Sequence, residues 1–244
     1  MLASWIREAS VIAGFTGAGI STESGVPDFR SADSPWMRHK PIPFDQFMAS
    51  AAMRAEAWRR KFAMDDLYAG AAPSDGHYFF ARLVAEGRMP ALITQNIDGL
   101  HQAAGIPPDR VIELHGNGTY AHCLSCTRRY PLGAVRAAFE AGGEAPACTV
   151  CGGIVKSATI SFGQAMPAEP MRRARELAEA CDLFIVAGSS LVVYPAAALP
   201  VLASRRGARL VIINREPTEL DSMADLVIHE EIGVVCRGLT SSLM

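Results

Sequence analysis

The sequence has little net charge and lacks any block of basic residues. Its 23 lysines and arginines against 25 aspartates and glutamates give a formal net charge of -2 at pH 7, and both signs are mixed along the chain. A protein that binds nucleic acid or an anionic lipid surface usually presents clustered positive charge. We therefore expect neither nucleic acid nor a membrane among its partners.

Features of a secreted or membrane-anchored chain are also missing. Arg7 and Glu8 interrupt the N-terminal region, where a signal peptide needs an apolar run, and this predicts a cytoplasmic protein. The uncharged span 183–204 is long enough to suggest a membrane helix. Gly188 in its middle, with two prolines after it, favours instead a buried strand, a polar turn and a packed helix.

Apolar runs separated by helical patterns indicate a parallel sheet. The chain has 244 residues, 50% of them hydrophobic, which is enough for a full core. Short apolar runs lie at residues 11–13, 91–93, 183–186, 210–213 and 226–228. Continuous runs are typical of strands buried on both faces, and helical patterns at 77–86 and 170–180 lie between some of them. The pattern predicts an α/β fold with a doubly wound, Rossmann-like parallel sheet.

Two stretches do not fit this alternation. Residues 31–81 hold aromatic residues among charges and look helical, whereas residues 116–160 hold all the paired cysteines. We interpret both as insertions, one helical and one resembling a zinc ribbon, that together form a smaller domain. The large domain is then predicted to comprise residues 1–30, 82–115 and 161–244.

A glycine-rich turn follows the first predicted strand, where residues 11–21 read Val-Ile-Ala-Gly-Phe-Thr-Gly-Ala-Gly-Ile-Ser. Gly17 and Gly19 lack Cβ atoms, so backbone N–H groups there can approach a pyrophosphate, and a helix N-terminus behind the turn favours its negative charge. A tight turn without a ligand is the alternative. Residues 24–30 look like a loop that folds over a ligand.

Polar residues follow three other predicted strands. Residues 94–98 read Thr-Gln-Asn-Ile-Asp, residues 188–190 read Gly-Ser-Ser, and Asn214 follows the run ending at 213. Because ligands bind outside the carboxyl ends of parallel strands, these side chains are candidates to contact phosphate and ribose. Ordinary turn chemistry for the serines and helix capping for Asp98 remain open.

Four cysteines have the spacing of a structural metal site. Cys123 and Cys126 form one Cys-x-x-Cys pair, and Cys148 and Cys151 form the other. Two such pairs can supply four thiolates to a closed tetrahedral Zn²⁺ site without a chemical role. Disulfides are the alternative, which a cytoplasmic setting disfavours. The remaining two, Cys181 and Cys236, are expected to be small buried residues.

His115 has the strongest local case for proton transfer. It ends an apolar run just before the cysteine-rich insertion, at a predicted domain junction where a cleft would form. Histidine is the side chain best suited to accept a proton at neutral pH, although a satisfied core histidine is the alternative. No comparable case exists for His39, His77, His101, His122 or His229.

Together these motifs resemble the sirtuin (Sir2) family of NAD-dependent protein lysine deacylases. The matching segments are residues 17–21, 24–30, 94–101, 115–116, 162–163, 188–191, the four cysteines and Asn214. The resemblance implies that NAD lies between the two domains as co-substrate and that an acyl-lysine peptide or protein enters between them. It implies that the products are free lysine, nicotinamide and O-acyl-ADP-ribose.

The resemblance also assigns roles to individual residues. It implies that His115 is the general base, that Asn96 is a second catalytic residue, and that Phe162 and Gly163 pair with the substrate backbone as an added strand. The residues implied to contact NAD are Gly17, Ala18, Gly19, Ser21, Thr22, Val26, Asp28, Phe29, Arg30, Gln95, Asn96, Ile97, Asp98, Gly188, Ser189, Ser190, Asn214, Glu216 and Ile232.

Departures from the family pattern concern substrate preference. Ser157 stands where relatives usually have proline, and Gln164 where they have glutamate. Relatives that prefer succinyl or malonyl groups carry a Tyr-x-x-Arg pair, and alignment on Arg59 places Glu56 at the tyrosine position. An acidic side chain repels an acidic acyl group, so we expect neutral acyl groups, acetyl above all.

Three other activities remain as alternatives. Protein mono-ADP-ribosylation would use the same NAD site. A non-catalytic sensor of NAD or acyl-lysine would have no use for His115, Asn96 and Asp98. A dehydrogenase would need neither the loop at residues 24–30 nor the cysteine pairs.

Overall fold

The computed structural model describes residues 1–28, 34 and 41–243. The strands of the larger sheet are β1 (Ile12–Thr16), β2 (Leu92–Thr94), β3 (Val111–Glu113), β7 (Leu183–Ala187), β8 (Arg209–Ile213) and β9 (Leu226–Ile228). They pair in parallel in the order β3-β2-β1-β7-β8-β9. The smaller sheet has the order β5-β4-β6, formed by β4 (Gly116–Cys123), β5 (Arg129–Pro131) and β6 (Val155–Thr159).

Helices cover both faces of the larger sheet. In chain order, the α-helices of the described residues are α1 (Leu2–Glu8), α2 (Phe44–Ala49), α3 (Ala51–Leu67), α4 (Asp75–Ala85), α5 (Leu100–Ala103), α6 (Leu132–Gly142), α7 (Ala168–Ala180), α8 (Ala198–Arg205) and α9 (Ile232–Leu243). Helices α7 and α8 pack on one face of the sheet, and α1, α4 and α9 pack on the other.

The apolar runs become strands because the sheet buries both of their faces. Every residue of β1 and β7 is buried. Phe15 joins the core beneath α7 and α8, whereas Ile12 joins the core beneath α1, α4 and α9. This distribution explains why the runs are continuous rather than alternating, and it confirms the doubly wound parallel sheet. β3 was not among the predicted strands.

The two predicted insertions share one small core. Trp58 and Phe62 of α3 pack with Val135 and Phe139 of α6 and with the buried cysteines of the smaller sheet. Trp58 stacks on Phe62 at a centroid distance of 5.4 Å. The helical segment and the cysteine-rich segment therefore bury their apolar surface against each other.

The segment 183–204 folds as β7, a turn and α8. Among the described residues, no helix combines the length and apolar character needed to cross a membrane. The helical pattern at 77–86 corresponds to α4, which runs across the predicted boundary at residue 81. Phe79, Phe80 and Leu83 of α4 belong to the sheet core, which favours placing that boundary before Asp75. The domain limits themselves stay a prediction.

Candidate active site

The loops after β1 and β7 meet at the point where the strand order reverses. From β1 the chain continues through β2 to one edge of the sheet, while β7 leads through β8 to the other. The N–H of Gly17 donates to Ala187 O at 3.1 Å, and that of Gly19 donates to Gly188 O at 2.8 Å. In open α/β sheets, ligands bind in the crevice outside this switch point.

The glycines of these loops are required by the loops' own close approach. A Cβ atom on Gly17 would lie 2.7 Å from Gly188 O, and one on Gly19 would lie 2.8 Å from the Gly188 Cα. Gly188 also has a φ of 67°, in the region that favours glycine. The sequence analysis explained these glycines by the close approach of a pyrophosphate or by a tight turn alone. Contact between the two loops is enough to exclude a larger residue at either position.

Three polar side chains from two separate segments, Ser21 after β1 and Asn96 and Asp98 after β2, meet beside this turn. The Ser21 hydroxyl donates to Asp98 Oδ2 at 2.7 Å and accepts from Asn96 Nδ2 at 3.1 Å. Asn96 Nδ2 also donates to Gly17 O at 3.1 Å. Asp98 Oδ1 accepts the N–H of Leu100, the first residue of α5, at 2.9 Å, although the N-cap position of that helix is Gly99. The other carboxylate oxygen of Asp98 accepts from Ser21. The structure thus connects residues that are more than 70 positions apart in sequence.

His77 lies behind Ser21 and is completely buried. Its Nδ1 accepts the backbone N–H of Ser74 at 3.1 Å, which leaves the proton on Nε2. Nε2 lies 3.3 Å from the Ser21 hydroxyl and donates to it, because that hydroxyl already donates to Asp98. Burial lowers the pKa of His77 to about 4, while the Asp98 carboxylate acts in the opposite direction. His77 is therefore neutral at physiological pH.

His101 forms a second buried link beneath the same residues. Its ring centroid lies 4.8 Å from that of His77, and its Nε2 lies 2.8 Å from the Thr16 hydroxyl. Thr16 donates to the Thr94 hydroxyl at 2.8 Å, which also accepts the N–H of Asn96 at 3.0 Å. Burial and the neighbouring His77 keep the pKa of His101 well below its usual range. Sequence reasoning gave neither histidine a role, and no local signal was available, because their hydroxyl partners Thr16 and Ser21 are distant in sequence.

His115 has the protonation state that a general base needs. Its Nδ1 lies 3.0 Å from the Gln95 carbonyl oxygen, which can only accept, so Nδ1 carries the proton and Nε2 keeps its lone pair. Burial lowers the pKa of His115, and the hydrogen bond to Gln95 opposes that shift. The Gln95 side chain donates to the Ser189 hydroxyl at 2.8 Å. The strand ends of β2 and β7 are thereby joined.

Other predicted NAD-contacting residues lie around this centre. Ala18, Gly19, Ser21 and Thr22 belong to a 3-10 helix, Ala18–Ser24, that follows β1. The N–H of Val26 donates to Ser21 O at 3.1 Å, and the Ile97 carbonyl accepts from Gly118 at 2.7 Å. The Asp28 carbonyl accepts from the Ser34 hydroxyl. Phe29 and Arg30, the last two residues of the predicted loop at 24–30, lie outside the described residues.

The carboxyl end of β8 supplies Asn214, whose amide donates to Glu216 O at 2.6 Å. The N–H of Gly188 donates to the neighbouring Ile213 carbonyl at 2.9 Å, which places Ser190 and Asn214 on adjacent strand ends. Glu216 is largely exposed, with 76% of its side chain accessible. Ile232 is buried at the start of α9, close to Ile20.

Residues 160–163, which include the predicted peptide-binding residues Phe162 and Gly163, follow β6 and lie next to His115. We call them the peptide segment. The N–H of Ile160 donates to the His115 carbonyl at 2.8 Å, and the Phe162 carbonyl accepts the N–H of Phe44 at 2.9 Å. Phe162 is 61% exposed. Gln164 turns back on this segment, because its side-chain oxygen accepts the Ser161 N–H at 3.2 Å. Its departure from glutamate keeps an oxygen acceptor at this position.

The four paired cysteines form a compact cluster whose ligand atoms lie within 4.8 Å of one another. The Sγ atoms of Cys123 and Cys151 are 3.5 Å apart, and those of Cys126 and Cys148 are 3.6 Å apart. A tetrahedron with Zn–S bonds of about 2.3 Å has edges of about 3.8 Å, so the residues fit zinc. The Tyr130 hydroxyl, 3.0 Å from Cys148 Sγ, lowers the pKa of that thiol to about 6 and favours the thiolate.

The four-cysteine cluster is separate from His115. Strand β4 begins one residue after His115 and ends at Cys123, a length on the order of 20 Å. A closed four-sulfur site at that distance serves structure rather than chemistry. Cys181 and Cys236 are buried, as predicted.

Fold and site together define a dinucleotide-binding α/β enzyme with a structural metal domain. A family model described as the Sir2 family matches residues 17–195. The chain is 59% identical over 232 residues to an NAD-dependent protein deacetylase of Bradyrhizobium diazoefficiens, covering 95% of this chain and 91% of the relative. It is 58% identical over 232 residues to one of Rhodopseudomonas palustris, covering 95% and 92%. The chain belongs to the Sir2 family.

Solved structures agree with this assignment. A structure of Sir2 with a p53 peptide and NAD+ superposes with a TM-score of 0.87 at 36% identity, covering 98% of this chain and 96% of that one. Another, of Sir2 with a deacetylated p53 peptide and 3'-O-acetyl ADP-ribose, has a TM-score of 0.90 at 34% identity and the same coverage. The resemblance read from the sequence motifs is confirmed.

Proposed function

We propose that this Sir2 enzyme removes acetyl groups from protein lysines in an NAD-dependent reaction. The observation that carries the proposal is the linked set at the strand ends: His115 is held by Gln95, and Asn96 is held by Ser21 beside Asp98. A neutral base and a group of oriented amides and carboxylate are what the reaction requires in one crevice. The named activity of the bacterial deacetylases supports the same conclusion.

NAD, when bound, supplies a ribose carbon with nicotinamide as its leaving group, and the acyl group ends on ADP-ribose. An amide oxygen is a weak nucleophile, so the protein must hold it in position and keep water out. We assign this orientation to Gln95, Asn96 and Asp98, and we assign proton removal from a ribose hydroxyl to His115 Nε2. The fixed Nδ1 proton keeps His115 in the tautomer that can accept there.

The remaining predicted residues complete this proposal. The loops at 17–28 and 188–190, with Asn214, Glu216 and Ile232, bind NAD, and Phe162 and Gly163 bind the peptide backbone. The four cysteines would hold a structural zinc. Because such a site needs reduced thiols, we also propose the cytoplasm as the compartment. ADP-ribosyl transfer to a protein remains the second candidate in principle, but no observation favours it.

Acyl preference is proposed from Glu56 on α3. Its carboxylate contacts the guanidinium groups of Arg59 and Arg60, and the hydrogen bond from Arg60 is the main reason that the pKa of Glu56 is lowered. The charge of Arg59 is therefore offset within the helix rather than offered to an acidic acyl group. Matched acetyl and succinyl peptides should show faster turnover of the acetyl peptide; faster turnover of the succinyl peptide would remove this proposal.

The proposed function is tested by mass spectrometry of an acetyl-lysine peptide incubated with the protein, with and without NAD. Deacetylation that requires NAD and yields nicotinamide and O-acetyl-ADP-ribose is expected. His115→Ala should slow it about 10²- to 10⁴-fold, whereas His122→Ala on β4 should not. NAD consumption beside an unchanged peptide would contradict the proposal, and an ADP-ribosylated acceptor protein would favour the second candidate.

A further inference from the structure

Lys156, the second residue of β6, is a buried lysine that neither the sequence motifs nor the proposed reaction uses. It is only 4% exposed. In the part of the chain that the structure describes, Lys156 is in none of the salt bridges, and burial lowers its pKa to about 8. A buried ammonium is costly unless its N–H groups are well bonded. A lysine buried at this position therefore needs a specific set of partners.

The partners of the ammonium group are two carbonyls and an aromatic ring. Lys156 Nζ donates to Thr159 O at 2.6 Å and lies 3.5 Å from Ser157 O. It also lies 5.8 Å from the centre of the Phe47 ring on α2, within the range of a cation–π interaction. One side chain thus links the end of β6 to the helical insertion.

Both linked elements lead directly to the peptide segment. Thr159 is followed by Ile160, whose N–H binds the backbone carbonyl of His115. On the other side, α2 carries Phe47 and begins at Phe44, whose N–H binds the Phe162 carbonyl. The ammonium therefore sits where the two supports of residues 160–163 meet. Fixing the Thr159 carbonyl limits how the following residues can turn.

We propose that Lys156 is a positioning residue for the acyl-lysine substrate, its ammonium holding the end of β6 and α2 so that the peptide segment keeps the shape that pairs with substrate backbone. This inference rests on the proposed function in assigning the segment to peptide binding. Lys156 acts through residues 160–163 and does not touch the reacting atoms. Its effect should therefore appear in peptide affinity rather than in NAD affinity.

The test compares two variants. Lys156→Met keeps a similar side-chain length but removes the charge and the N–H donors, whereas Lys156→Arg keeps the charge and the N–H donors. Binding of a fluorescein-labelled acetyl-lysine peptide is measured by anisotropy without NAD, and KM values for peptide and NAD are measured separately. We expect Lys156→Met to weaken peptide binding fivefold or more and to change the KM for NAD less than twofold. Lys156→Arg should stay within about threefold of wild type.

Thermal unfolding separates positioning from a merely structural role. Lys156→Met removes a costly buried charge but leaves the Thr159 carbonyl without its donor, and these two effects on stability oppose each other. We therefore expect Lys156→Met to stay folded while losing peptide affinity. Unchanged peptide affinity, or a loss that appears only with unfolding, overturns the inference. If the methionine variant does not fold, Lys156→Gln is measured with the same criteria. A wild type that binds the peptide without deacetylating it contradicts the proposed function alone.

Discussion

At the scale of single residues, the protonation of His115 is set by one backbone carbonyl. The Gln95 oxygen fixes the proton on Nδ1, and burial lowers the pKa of the ring below its ordinary value of 6.5. A base must be neutral to accept a proton, so activity is lost as pH falls through this pKa. We predict that the acid limb of kcat/KM against pH lies below pH 6.5.

The measurement is a pH profile of kcat/KM for an acetyl-lysine peptide at saturating NAD. His115→Ala should lower the rate about 10²- to 10⁴-fold and remove the limb. His122→Ala, a half-buried histidine on β4 outside the site, should retain the wild-type profile. A limb centred above pH 7 would show that a different group, or a charged His115, controls the reaction.

Sequence context identified His115 as a candidate base but did not identify the buried polar residues near the proposed site. A histidine at a domain junction next to a cysteine-rich insertion stands out. His77 and Ser21 are 56 positions apart, and nothing local indicates that they are hydrogen-bonded. Lys156 is equally silent in sequence, since its partners are backbone carbonyls that every residue provides. Such roles depend on tertiary contacts and emerge only from the fold.

At the scale of elements, the turn after β1 depends on glycine because it packs against another turn. A Cβ on Gly19 would meet Gly188 backbone at 2.8 Å. Backbone cannot move aside as a flexible side chain can, so we predict that Gly19→Ala destabilises the fold by about 2 kcal/mol or more. Urea unfolding followed by circular dichroism measures the difference.

Gly238 provides the matched control for that substitution. It lies within α9, and a Cβ there would meet nothing within 4 Å. Gly238→Ala should therefore stabilise the protein by about 0.5–1 kcal/mol, because alanine loses less backbone freedom in a helix. Equal effects of the two alanine substitutions would show that the close approach of the two turns is not what requires Gly19.

The folding of the cysteine-rich segment is expected to depend on zinc held by its four thiolates. Cys148 is buried in the small core and faces Cys126 at 3.6 Å. We predict that Cys148→Ser loses bound zinc and unfolds the cysteine-rich segment, because structural zinc contributes directly to folding. Metal content by mass spectrometry and amide exchange in β4–β6 measure both effects.

Cys181→Ala is the control for zinc loss, since Cys181 lies in the core of the larger sheet. It should keep one zinc per chain whatever its effect on stability. Retention of zinc by Cys148→Ser, with an intact smaller sheet, would contradict the four-thiolate assignment.

At the scale of elements the sequence was most informative, because paired cysteines and continuous apolar runs are local patterns. β3 was missed, because Glu113 interrupts its apolar run after Val111 and Ile112.

At the scale of the whole molecule, the proposed site is assembled from chain segments that are distant in sequence. The loops after β1, β2, β7 and β8 belong to the larger sheet, and residues 160–163 follow β6 of the smaller one. Because the strands of the larger sheet are parallel, it was predictable that the loops after them lie at the same edge of the sheet. The start of α4 was not predictable in the same way. This helix follows directly on the helical insertion, yet its apolar residues pack on the larger sheet.

Two neutral histidines buried beneath the proposed site make the stability of the whole protein sensitive to acid. The pKa of His77 is about 4 in the folded state, against an ordinary value of 6.5. Between these values the unfolded chain binds a proton that the folded protein does not. The contribution of neutral His77 to the free energy of unfolding is therefore fully present above pH 6.5 and is lost as pH falls toward 4. From pH 7 to pH 5, His77 should cost about 2 kcal/mol of unfolding free energy, and His101 acts in the same direction. Urea unfolding of wild type and of His77→Gln, whose amide keeps a donor toward Ser21, measures this contribution. The variant should show a shallower decline over this range, in which most carboxylates are still ionised; parallel declines would mean that His77 is already protonated in the folded protein or does not titrate on unfolding.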